Sequence, residues 1–312
     1  MITRPKIAIL DDYQNVALTY GDWSAINKLA EITVFNDHLT AKEEVINRLK
    51  PFQVIAVMRE RTPLTREILS ELPNLKLIIS TGERNASIDI KAAEAFGIAI
   101  SPTRYLSNGA PELTWALLLA LAKHLVQETN QVRKNGWQTE VGVDLKGKTI
   151  GIVGLGRIGS TIARYAKAFE MEVIAWSENL TEEKATAQGA RLVSKEELFK
   201  NADFVSVHLI LSSRSRGIIG EKELNLMKPS AFLINTARGP LVDEAALISV
   251  LTQKKIAAAA LDVYEIEPLP LQHPFRTLTN VLATPHIGYV TENTYQTFYE
   301  DIRNRIDAWL KE

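Results

Sequence analysis

The chain has 312 residues, which is enough for about two domains that each bury a core of their own. A formal net charge of −1 excludes strong electrostatic attraction to nucleic acid or to an anionic membrane, and 46% hydrophobic with 23% charged residues is typical of a globular protein. The sequence contains no cysteine, which excludes disulfides, thiolate nucleophiles and cysteine-bound metal and favours a cytoplasmic location.

Short apolar segments recur along the chain and alternate with amphipathic ones. In chain order, the predicted buried strands are Lys6–Leu10, Val54–Met58, Lys76–Ser80, Thr149–Val153, Glu172–Ala175, Phe204–His208, Ala231–Asn235, Ala258–Leu261 and Val281–Ala283. Amphipathic segments such as Ala41–Leu49 and Thr65–Glu71 predict helices between them. Continuous apolar strands separated by helices are typical of parallel sheets covered on both faces. The sequence therefore predicts an α/β protein with two Rossmann-like, doubly wound parallel-sheet domains.

A glycine-rich turn follows the predicted strand "TIGIV" and leads into a helix. Gly154, Gly156 and Gly159 match the dinucleotide-binding pattern, in which the glycines allow a tight turn, close approach of a pyrophosphate and close helix packing. Arg157 and Ile158 would then begin the helix whose N-terminus faces the phosphates. Glycines kept for packing alone are the alternative, but the strand before the turn and the helix and strand after it favour a dinucleotide.

The choice of cofactor depends on the end of the next predicted strand. A dinucleotide fold usually has an acid there, about 20 residues beyond the glycines, which binds the ribose 2′-hydroxyl. Ser177 occupies this position, which loosens discrimination against a 2′-phosphate. Glu178 would repel such a phosphate if it faces the site, and the nearest cation is Lys184. The sequence predicts NAD slightly ahead of NADP.

Three later segments each place a reactive side chain after an apolar strand. The segment "LINTARGPLV" carries Arg238, "AALDVYEIEP" carries Glu267 and "VLATPHIGY" carries His286. Histidine titrates near working pH, a carboxylate can orient its ring, and arginine offers a planar fork of donors to a carboxylate. The alternatives are a loop histidine, a turn carboxylate and an arginine paired with Asp243.

Taken in order, these motifs resemble the D-isomer-specific 2-hydroxyacid dehydrogenases, the family that includes D-3-phosphoglycerate dehydrogenase, glyoxylate/hydroxypyruvate reductase and D-lactate dehydrogenase. The resemblance covers nearly the whole chain, including "MRERTPLT", "PELTWALLLAL", "SVHL", "NTARG", "LDVYEIEP" and "TPHIG". It implies hydride transfer between a nicotinamide dinucleotide and C2 of a small D-2-hydroxy or 2-oxo acid of the 3-phosphoglycerate, glyoxylate or hydroxypyruvate type. It assigns His286 as general acid/base, Glu267 as its partner and Arg238 as substrate anchor.

The same resemblance assigns further cofactor contacts. Asp262 would hydrogen-bond the nicotinamide carboxamide, and Thr236 and Ala237 are further expected cofactor contacts. His208 ends a predicted strand near the expected nicotinamide site and is included among them, with a structural histidine as the alternative. No cluster of side chains in the sequence has metal-ligand spacing, and hydride transfer to nicotinamide needs no metal.

The predicted substrate contacts are Arg59, Gly82, Arg84 and Asn108. Relatives commonly hold the substrate carboxylate with a Gly-Val-Gly loop, but this chain reads "STGERNASID" there, with bulkier residues after Gly82. Arg84 would then reach an anionic substituent of the substrate or face solvent.

The resemblance also implies a domain layout. Residues 1–100 and 287–312 would form a flavodoxin-like substrate-binding domain, and residues 101–286 an inserted NAD(P)-binding Rossmann domain. Such a layout implies closure of the two domains around substrate. The apolar helix near residues 112–124 resembles the dimerisation element of relatives and predicts a homodimer, with an ordinary core helix as the alternative; its apolar run is too short to span a bilayer.

Two other functions occur on this fold. A formate dehydrogenase would pair its histidine with glutamine, whereas this chain has Glu267. A non-enzymatic NAD(H)-sensing or corepressor-like protein is the second alternative, and the presence of Arg238, Glu267 and His286 argues against it.

Overall fold

The computed structural model describes residues 4–312, and the chain divides into two compact units. The first unit comprises the chain up to Leu106 together with Val290–Glu312, and the second, Ser107–Tyr289, is inserted into it. Each unit contains one sheet whose strand pairs are all parallel. The predicted α/β class with two parallel-sheet domains is therefore confirmed.

Strands and helices alternate along most of the chain. The strands are Lys6–Ile9 (β1), Glu31–Val34 (β2), Val54–Val57 (β3), Leu77–Ser80 (β4), Ala99–Pro102 (β5), Thr149–Val153 (β6), Glu172–Trp176 (β7), Arg191–Leu192 (β8), Phe204–Val207 (β9), Phe232–Asn235 (β10), Ala258–Leu261 (β11) and Val281–Ala283 (β12). The α-helices are Ser24–Leu29 (α1), Lys42–Leu49 (α2), Arg66–Ser70 (α3), Ile90–Ala95 (α4), Gly109–Ala122 (α5), Leu125–Arg133 (α6), Arg157–Ala168 (α7), Glu182–Ala187 (α8), Lys195–Asn201 (α9), Glu221–Leu226 (α10), Glu244–Thr252 (α11) and Glu292–Trp309 (α12).

The first unit is built on a five-stranded sheet in the order β2-β1-β3-β4-β5. The central strands β3 and β4 are buried at every position, which explains their continuous apolar sequences. Helix α12 returns to this unit, where Tyr299 stacks on Tyr20 with 5.8 Å between ring centroids. Asp301 of the same helix accepts hydrogen bonds from Arg104 at the end of β5, including one of 2.8 Å from its backbone N–H. These contacts join the C-terminal helix to the N-terminal part of the chain.

The second unit is built on a seven-stranded sheet in the order β12-β11-β10-β9-β6-β7-β8. Strand β6 lies between β7 and β9, so the chain reverses its direction of progress across the sheet there. Neighbouring residues of one strand enter different cores: Val153 joins one hydrophobic cluster and Ile152 the other. Both faces of the sheet are therefore buried, and in such sheets ligands bind at the carboxyl ends of the strands near the reversal point.

Helix α5 is a core helix of the second unit. Leu117, Leu118 and Leu121 are buried in the same cluster as Ile150 of β6. The apolar character of this helix is therefore explained by packing within the unit, as the alternative interpretation of the sequence expected. Across residues 4–312, no helix is long and apolar enough to cross a membrane.

Candidate active site

The predicted cofactor and catalytic residues of the second unit follow its strands at one edge of the sheet. Because all seven strands run parallel, their carboxyl ends lie along the same edge. The residues that follow β6, β9, β10, β11 and β12 are Gly154, His208, Thr236, Asp262 and Thr284, respectively. Residues far apart in sequence thus belong to neighbouring loops.

The glycine-rich turn has the backbone that its sequence predicts. Gly154 has a φ of +101°, and a Cβ there would lie 2.9 Å from the backbone of His208. A Cβ on Gly159 would lie 2.2 Å from the carbonyl oxygen of Gly154, so α7 packs directly on the turn. Among the described residues other than its two chain neighbours, none has a heavy atom within 4 Å of a Cβ built on Gly156, so the turn leaves open space there.

This open space fits a dinucleotide pyrophosphate. Helix α7 is 12 residues long and begins directly after Gly156 with Arg157, Ile158, Gly159 and Ser160. Its first N–H groups and its dipole favour an anion at this position, and its first turn adds a cationic Arg157 that is exposed. The turn and the helix therefore have the shape and the charge that a bound pyrophosphate requires.

The end of β7 lies beside the glycine turn. The N–H of Gly154 donates a 2.8 Å hydrogen bond to the carbonyl oxygen of Trp176. Ser177 follows and is half-buried, and its carbonyl oxygen accepts from the N–H of Leu180. Glu178 is exposed in this turn. Ser177 thus lies next to the glycine turn.

His208 lies at the end of β9, next to β6. Its Nε2 is 2.8 Å from the hydroxyl of Ser206, and burial lowers the pKa of His208 to about 3. The imidazole is therefore neutral at physiological pH and cannot serve as the acid that protonates a substrate. A neutral hydrogen-bonding group at this edge is compatible with a cofactor contact.

Thr236 is oriented by a residue that the sequence analysis did not identify, Thr114 of α5. The Thr114 hydroxyl donates to the carbonyl oxygen of Ala110 at 2.7 Å, so its single proton is engaged. In the 2.6 Å hydrogen bond between the two threonine hydroxyls, Thr236 must therefore be the donor and Thr114 the acceptor. The oxygen of Thr236 is left to accept a hydrogen bond. Only the tertiary structure reveals this pair, because the two residues are 122 positions apart.

The loop that carries Arg238 is held by Asn235, the last residue of β10. Asn235 Oδ1 accepts from the N–H of Ala237 at 3.1 Å, and its Nδ2 donates to the Arg238 carbonyl oxygen at 3.0 Å. A Cβ on Gly239 would lie 2.0 Å from the carbonyl carbon of Tyr264, so the Arg238 loop lies directly against the loop that carries the predicted glutamate. Asn235 and Gly239 had no functional assignment from the sequence.

Glu267 and His286 form a hydrogen-bonded pair. Glu267 Oε2 lies 2.5 Å from His286 Nδ1, and Glu267 Oε1 accepts from the N–H of Tyr264 at 3.0 Å. Because an ionised carboxylate only accepts hydrogen bonds, Nδ1 of the imidazole carries a proton. Nε2 is then the nitrogen that can exchange a proton with another molecule. About a quarter of the His286 side chain and a third of the Glu267 side chain are exposed.

The backbone around His286 is held by Asp262. His286 has a φ of +53°, a left-handed conformation that is uncommon for a residue with a side chain. The carboxylate of Asp262 accepts from Thr284 Oγ1 at 2.6 Å and from the N–H groups of Ile287 and Gly288 at 2.8 and 2.9 Å. Asp262 is fully buried, and burial raises its pKa. A carboxylate has about four lone-pair sites, so these three hydrogen bonds leave one of them unused.

The predicted substrate residues fall in both units. In the first unit, Arg59 and Gly82 are in contact, since a Cβ on Gly82 would lie 1.9 Å from Arg59 Nη1. The N–H of Gly82 donates to Thr103 Oγ1 at 2.8 Å. Arg84 lies on the same loop and is exposed, whereas Asn108 precedes α5 in the second unit and is also exposed. Within residues 4–312, no group of three or more His, Asp or Glu side chains could hold a metal ion.

Comparison with known proteins identifies relatives of the chain. Residues 115–288 match the family model described as the NAD binding domain of D-isomer specific 2-hydroxyacid dehydrogenase. A D-3-phosphoglycerate dehydrogenase of Methanocaldococcus jannaschii is 40% identical over 274 residues, which are 86% of this chain and 52% of that protein. The chain thus spans about half the length of that relative. A glyoxylate reductase of Aeropyrum pernix is 40% identical over 238 residues, 73% of this chain and 71% of that protein.

The fold has a similarly close match among solved structures. The crystal structure of a phosphoglycerate oxidoreductase from Vibrio cholerae O395 superposes with a TM-score of 0.92 at 38% identity, covering 98% of this chain and 99% of that one. The family model spans more than half of the 312 residues and includes every strand of the seven-stranded sheet. The protein belongs to the D-isomer specific 2-hydroxyacid dehydrogenases, a family of NAD-dependent oxidoreductases.

Proposed function

We propose that this protein transfers a hydride between a nicotinamide dinucleotide and C2 of a small 2-oxo or D-2-hydroxy acid, with His286 as the general acid/base. The observation that carries the proposal is the Glu267–His286 hydrogen bond. It lies at the carboxyl ends of the sheet strands, where the glycine turn also lies. The pair leaves Nε2 of His286 as the proton-exchanging atom. Histidine suits that role because its protonation changes near neutral pH.

In the reductive direction, His286 Nε2 donates its proton to the carbonyl oxygen at C2. A bound nicotinamide supplies the hydride that C2 accepts in the same direction. The π bond of the carbonyl group breaks as a C–H and an O–H bond form, so the product is the 2-hydroxy acid and His286 is left neutral. Glu267 keeps Nδ1 protonated and the ring oriented throughout. Arg238 binds the substrate carboxylate and polarises the carbonyl group.

The proposed substrates are glyoxylate, hydroxypyruvate and 3-phosphohydroxypyruvate or the corresponding hydroxy acids. Relatives at 40% identity are named D-3-phosphoglycerate dehydrogenase and glyoxylate reductase, which supports this range. In the first unit we assign substrate contacts to Arg59, Gly82 and Arg84. Arg59 is the strongest of them, because its guanidinium lies on Gly82 and has a defined orientation.

The test is NADH or NADPH oxidation followed at 340 nm with these 2-oxo acids. Two histidines with left-handed backbones give a matched pair of variants, since asparagine tolerates that conformation: His286 with φ +53° and His124 with φ +50°. We expect His286→Asn to lower kcat/KM by about a hundredfold or more and His124→Asn to leave it unchanged. Wild-type kcat/KM in His286→Asn would contradict the assignment.

The same experiment discriminates against a non-catalytic function. A protein that binds NADH tightly but turns over none of the 2-oxo acids would support the NAD(H)-sensing alternative. Each nucleotide is therefore also titrated directly, by quenching of tryptophan fluorescence. Tight nucleotide binding without turnover would support the sensing function. Turnover that does not depend on His286 would instead contradict only the role of His286.

For the cofactor, we propose that NADH binds more tightly than NADPH. Glu178 follows Ser177 and is exposed in the turn after β7. A carboxylate there repels the negatively charged 2′-phosphate of NADPH. Direct titration with both nucleotides measures the preference. Glu178→Gln should reduce the preference for NADH, and tighter binding of NADPH by the wild type would refute the assignment.

We also propose a homodimer. Large apolar side chains are exposed in and after α6, among them Trp137 at 73% and Val141 at 91%. We assign this segment as the association surface, because contiguous exposed apolar patches mark protein–protein contacts. Sedimentation equilibrium should give twice the monomer mass for the wild type and a lower mass for Trp137→Lys. A wild-type monomer would contradict the proposal.

A further inference from the structure

Asn85 joins the two loops that follow β3 and β4 in the first unit. Its Nδ2 donates to the carbonyl oxygen of Arg59 at 2.7 Å and to Ser80 Oγ at 3.1 Å. Its Oδ1 accepts from the N–H of Ser87 at 3.0 Å and from Ser87 Oγ at 2.6 Å. Every hydrogen-bonding position of the amide is therefore occupied, two as donor and two as acceptor.

This pattern requires an amide in one orientation. The Arg59 carbonyl oxygen can only accept, and the Ser87 N–H can only donate. Exchanging the amide oxygen and nitrogen would therefore place two acceptors together on one side and two donors together on the other. A carboxylate at position 85 would likewise place an anionic oxygen against the Arg59 carbonyl. The position thus selects asparagine for its chemistry and not merely for its size.

Arg59 is the residue that Asn85 holds. Arg59 has a φ of +51°, a left-handed conformation that is unfavourable for a residue with a long side chain. Its N–H donates to Thr81 Oγ1 at 2.7 Å, and its carbonyl oxygen accepts from Asn85. The peptide groups on the two sides of the Arg59 Cα are thus both bonded to the loop after β4, and these bonds stabilise the left-handed backbone.

The backbone of Arg59 determines where its guanidinium lies. Nη1 donates to the Thr81 carbonyl oxygen at 2.9 Å and rests on the Cα of Gly82. The guanidinium carbon is 5.1 Å from the centroid of the Tyr105 ring. A right-handed or extended Arg59 would direct the side chain elsewhere, because rotation about φ changes the direction of Cβ. The orientation of the cation therefore depends on the bonds to its own backbone.

We propose that Asn85 is a positioning residue that holds Arg59 in the orientation required to bind the anionic part of a 2-oxo acid substrate. The inference rests on the proposed function, which assigns Arg59 to the substrate. Asn85 acts through Arg59 and not on C2, so it contributes to substrate binding in the ground state and the transition state alike. Its loss raises KM and leaves kcat nearly unchanged.

The test is a double-mutant cycle between positions 85 and 59, with Ser87→Ala as the matched control. Asn85→Asp keeps size and acceptor oxygens but removes the donor to Arg59, whereas Ser87→Ala removes a bond from the other side of the same amide. We expect Asn85→Asp to raise KM for glyoxylate or hydroxypyruvate about tenfold, with kcat within about twofold of wild type. In an Arg59→Gln background, Asn85→Asp should change KM by less than about twofold.

Other results would overturn the inference. An equal rise in KM in the presence and absence of Arg59 would mean that Asn85 supports the fold alone. A rise for Ser87→Ala as large as for Asn85→Asp would mean that any loosening of the loop is sufficient. If Arg59→Gln leaves KM unchanged, Arg59 does not bind substrate and the inference falls with that assignment.

Two measurements keep the test independent of folding and of the proposed reaction. Asn85→Ala removes the same donor without adding a carboxylate, so it replaces Asn85→Asp if the latter does not fold, and thermal unfolding of every variant reports on folding. Kd for NADH should stay at the wild-type value in all variants. The reaction itself is tested by wild-type turnover and by His286→Asn, so its failure is distinct from a failure of the Asn85–Arg59 coupling.

Discussion

Asparagine in place of Asp262 tests how the loop that carries His286 is held. The carboxylate accepts three hydrogen bonds, from Thr284 Oγ1 and from the N–H groups of Ile287 and Gly288, at 2.6, 2.8 and 2.9 Å. An asparagine has one acceptor oxygen and one NH₂ group. If the asparagine oxygen faces Thr284 and Ile287, its NH₂ group faces one donor, the N–H of Gly288. In the opposite orientation, the NH₂ group faces two donors, those of Thr284 and Ile287.

The magnitude follows from these three bonds. A hydrogen bond to an ionised group contributes about 1.5–3 kcal/mol, and a buried donor left without an acceptor costs about 1–3 kcal/mol. Burial raises the pKa of Asp262, which means that the buried carboxylate carries a desolvation cost that a neutral side chain relieves. The two effects oppose each other, and we expect Asp262→Asn to lower the free energy of unfolding by about 2–3 kcal/mol.

The effect on activity should exceed the effect on cofactor binding. His286 keeps its left-handed backbone beside Ile287 and Gly288, so loss of their acceptor displaces the imidazole. A displacement of about 1 Å at a reacting group can cost about a hundredfold in rate. We therefore expect kcat/KM for the 2-oxo acid, at saturating NADH, to fall about a hundredfold in Asp262→Asn.

Urea unfolding, steady-state kinetics and NADH titration measure the three quantities. Thr284→Val is the control, because it removes one donor to Asp262 but keeps both N–H bonds that hold the loop. It should cost about 1.5–3 kcal/mol of unfolding free energy and leave kcat/KM near the wild-type value. An unfolding free energy within about 0.5 kcal/mol of wild type, together with unchanged kcat/KM, would refute the reasoning. A large rise in Kd for NADH with normal turnover at saturation would mean that Asp262 acts on the cofactor and not on the loop.

Two further predictions concern the same unit. At Gly239, a Cβ would lie 2.0 Å from the Tyr264 backbone, so Gly239→Ala should lower the unfolding free energy by about 3 kcal/mol or more. The control is Gly97→Ala, which should cost about 1 kcal/mol because φ is +69° but the Cβ enters open space. Equal effects of the two substitutions would contradict the role of packing at Gly239. Burial lowers the pKa of His208 to about 3, below the unfolded value of about 6.5, so the unfolded state binds the extra proton between these values. The stability that depends on neutral His208 is complete above pH ~6.5 and decreases by about 1.4 kcal/mol per pH unit below it. Between pH 7.5 and pH 5, the unfolding free energy of the wild type, measured in urea, should therefore fall by about 2 kcal/mol more than that of His208→Gln. Parallel pH profiles of the two proteins would refute this.

The interior strands could be read from the sequence, whereas three strands at or near the sheet edges could not. Strands β3, β4, β9 and β10 are buried at every position and appear in the sequence as mainly apolar runs. Strands β2, β5 and β8 read "EITV", "AISP" and "RL", are only partly buried and lie at the ends of their sheets. An end strand packs against fewer neighbours, so its side chains need not be apolar and its pattern resembles a loop.

The site shows the same division. Arg238, Glu267 and His286 could be singled out because each follows an apolar strand and carries a reactive group, and their roles stay predictions. Asn235, Thr114 and Asn85 carried no such signal, because threonine and asparagine are common in turns and helix caps. Their importance rests on partners in the structure: the loop before Arg238, the hydroxyl of Thr236 and the carbonyl oxygen of Arg59.

The apolar pattern of an interior strand and the glycines of a tight turn are local features of the sequence, since each is read from a residue and its immediate neighbours in the chain. The sequence alone was therefore sufficient for the two parallel-sheet domains, the dinucleotide turn and the residues that follow the strands. The hydrogen bonds that orient those residues join loops from different strands, and parallel pairing brings such loops together only when the sheet forms. The hydrogen bonds that Asp262 accepts from Ile287 and Gly288, and the bond from Asn85 to Arg59, could therefore be identified only in the tertiary structure. A local sequence pattern does not show which donor pairs with which acceptor.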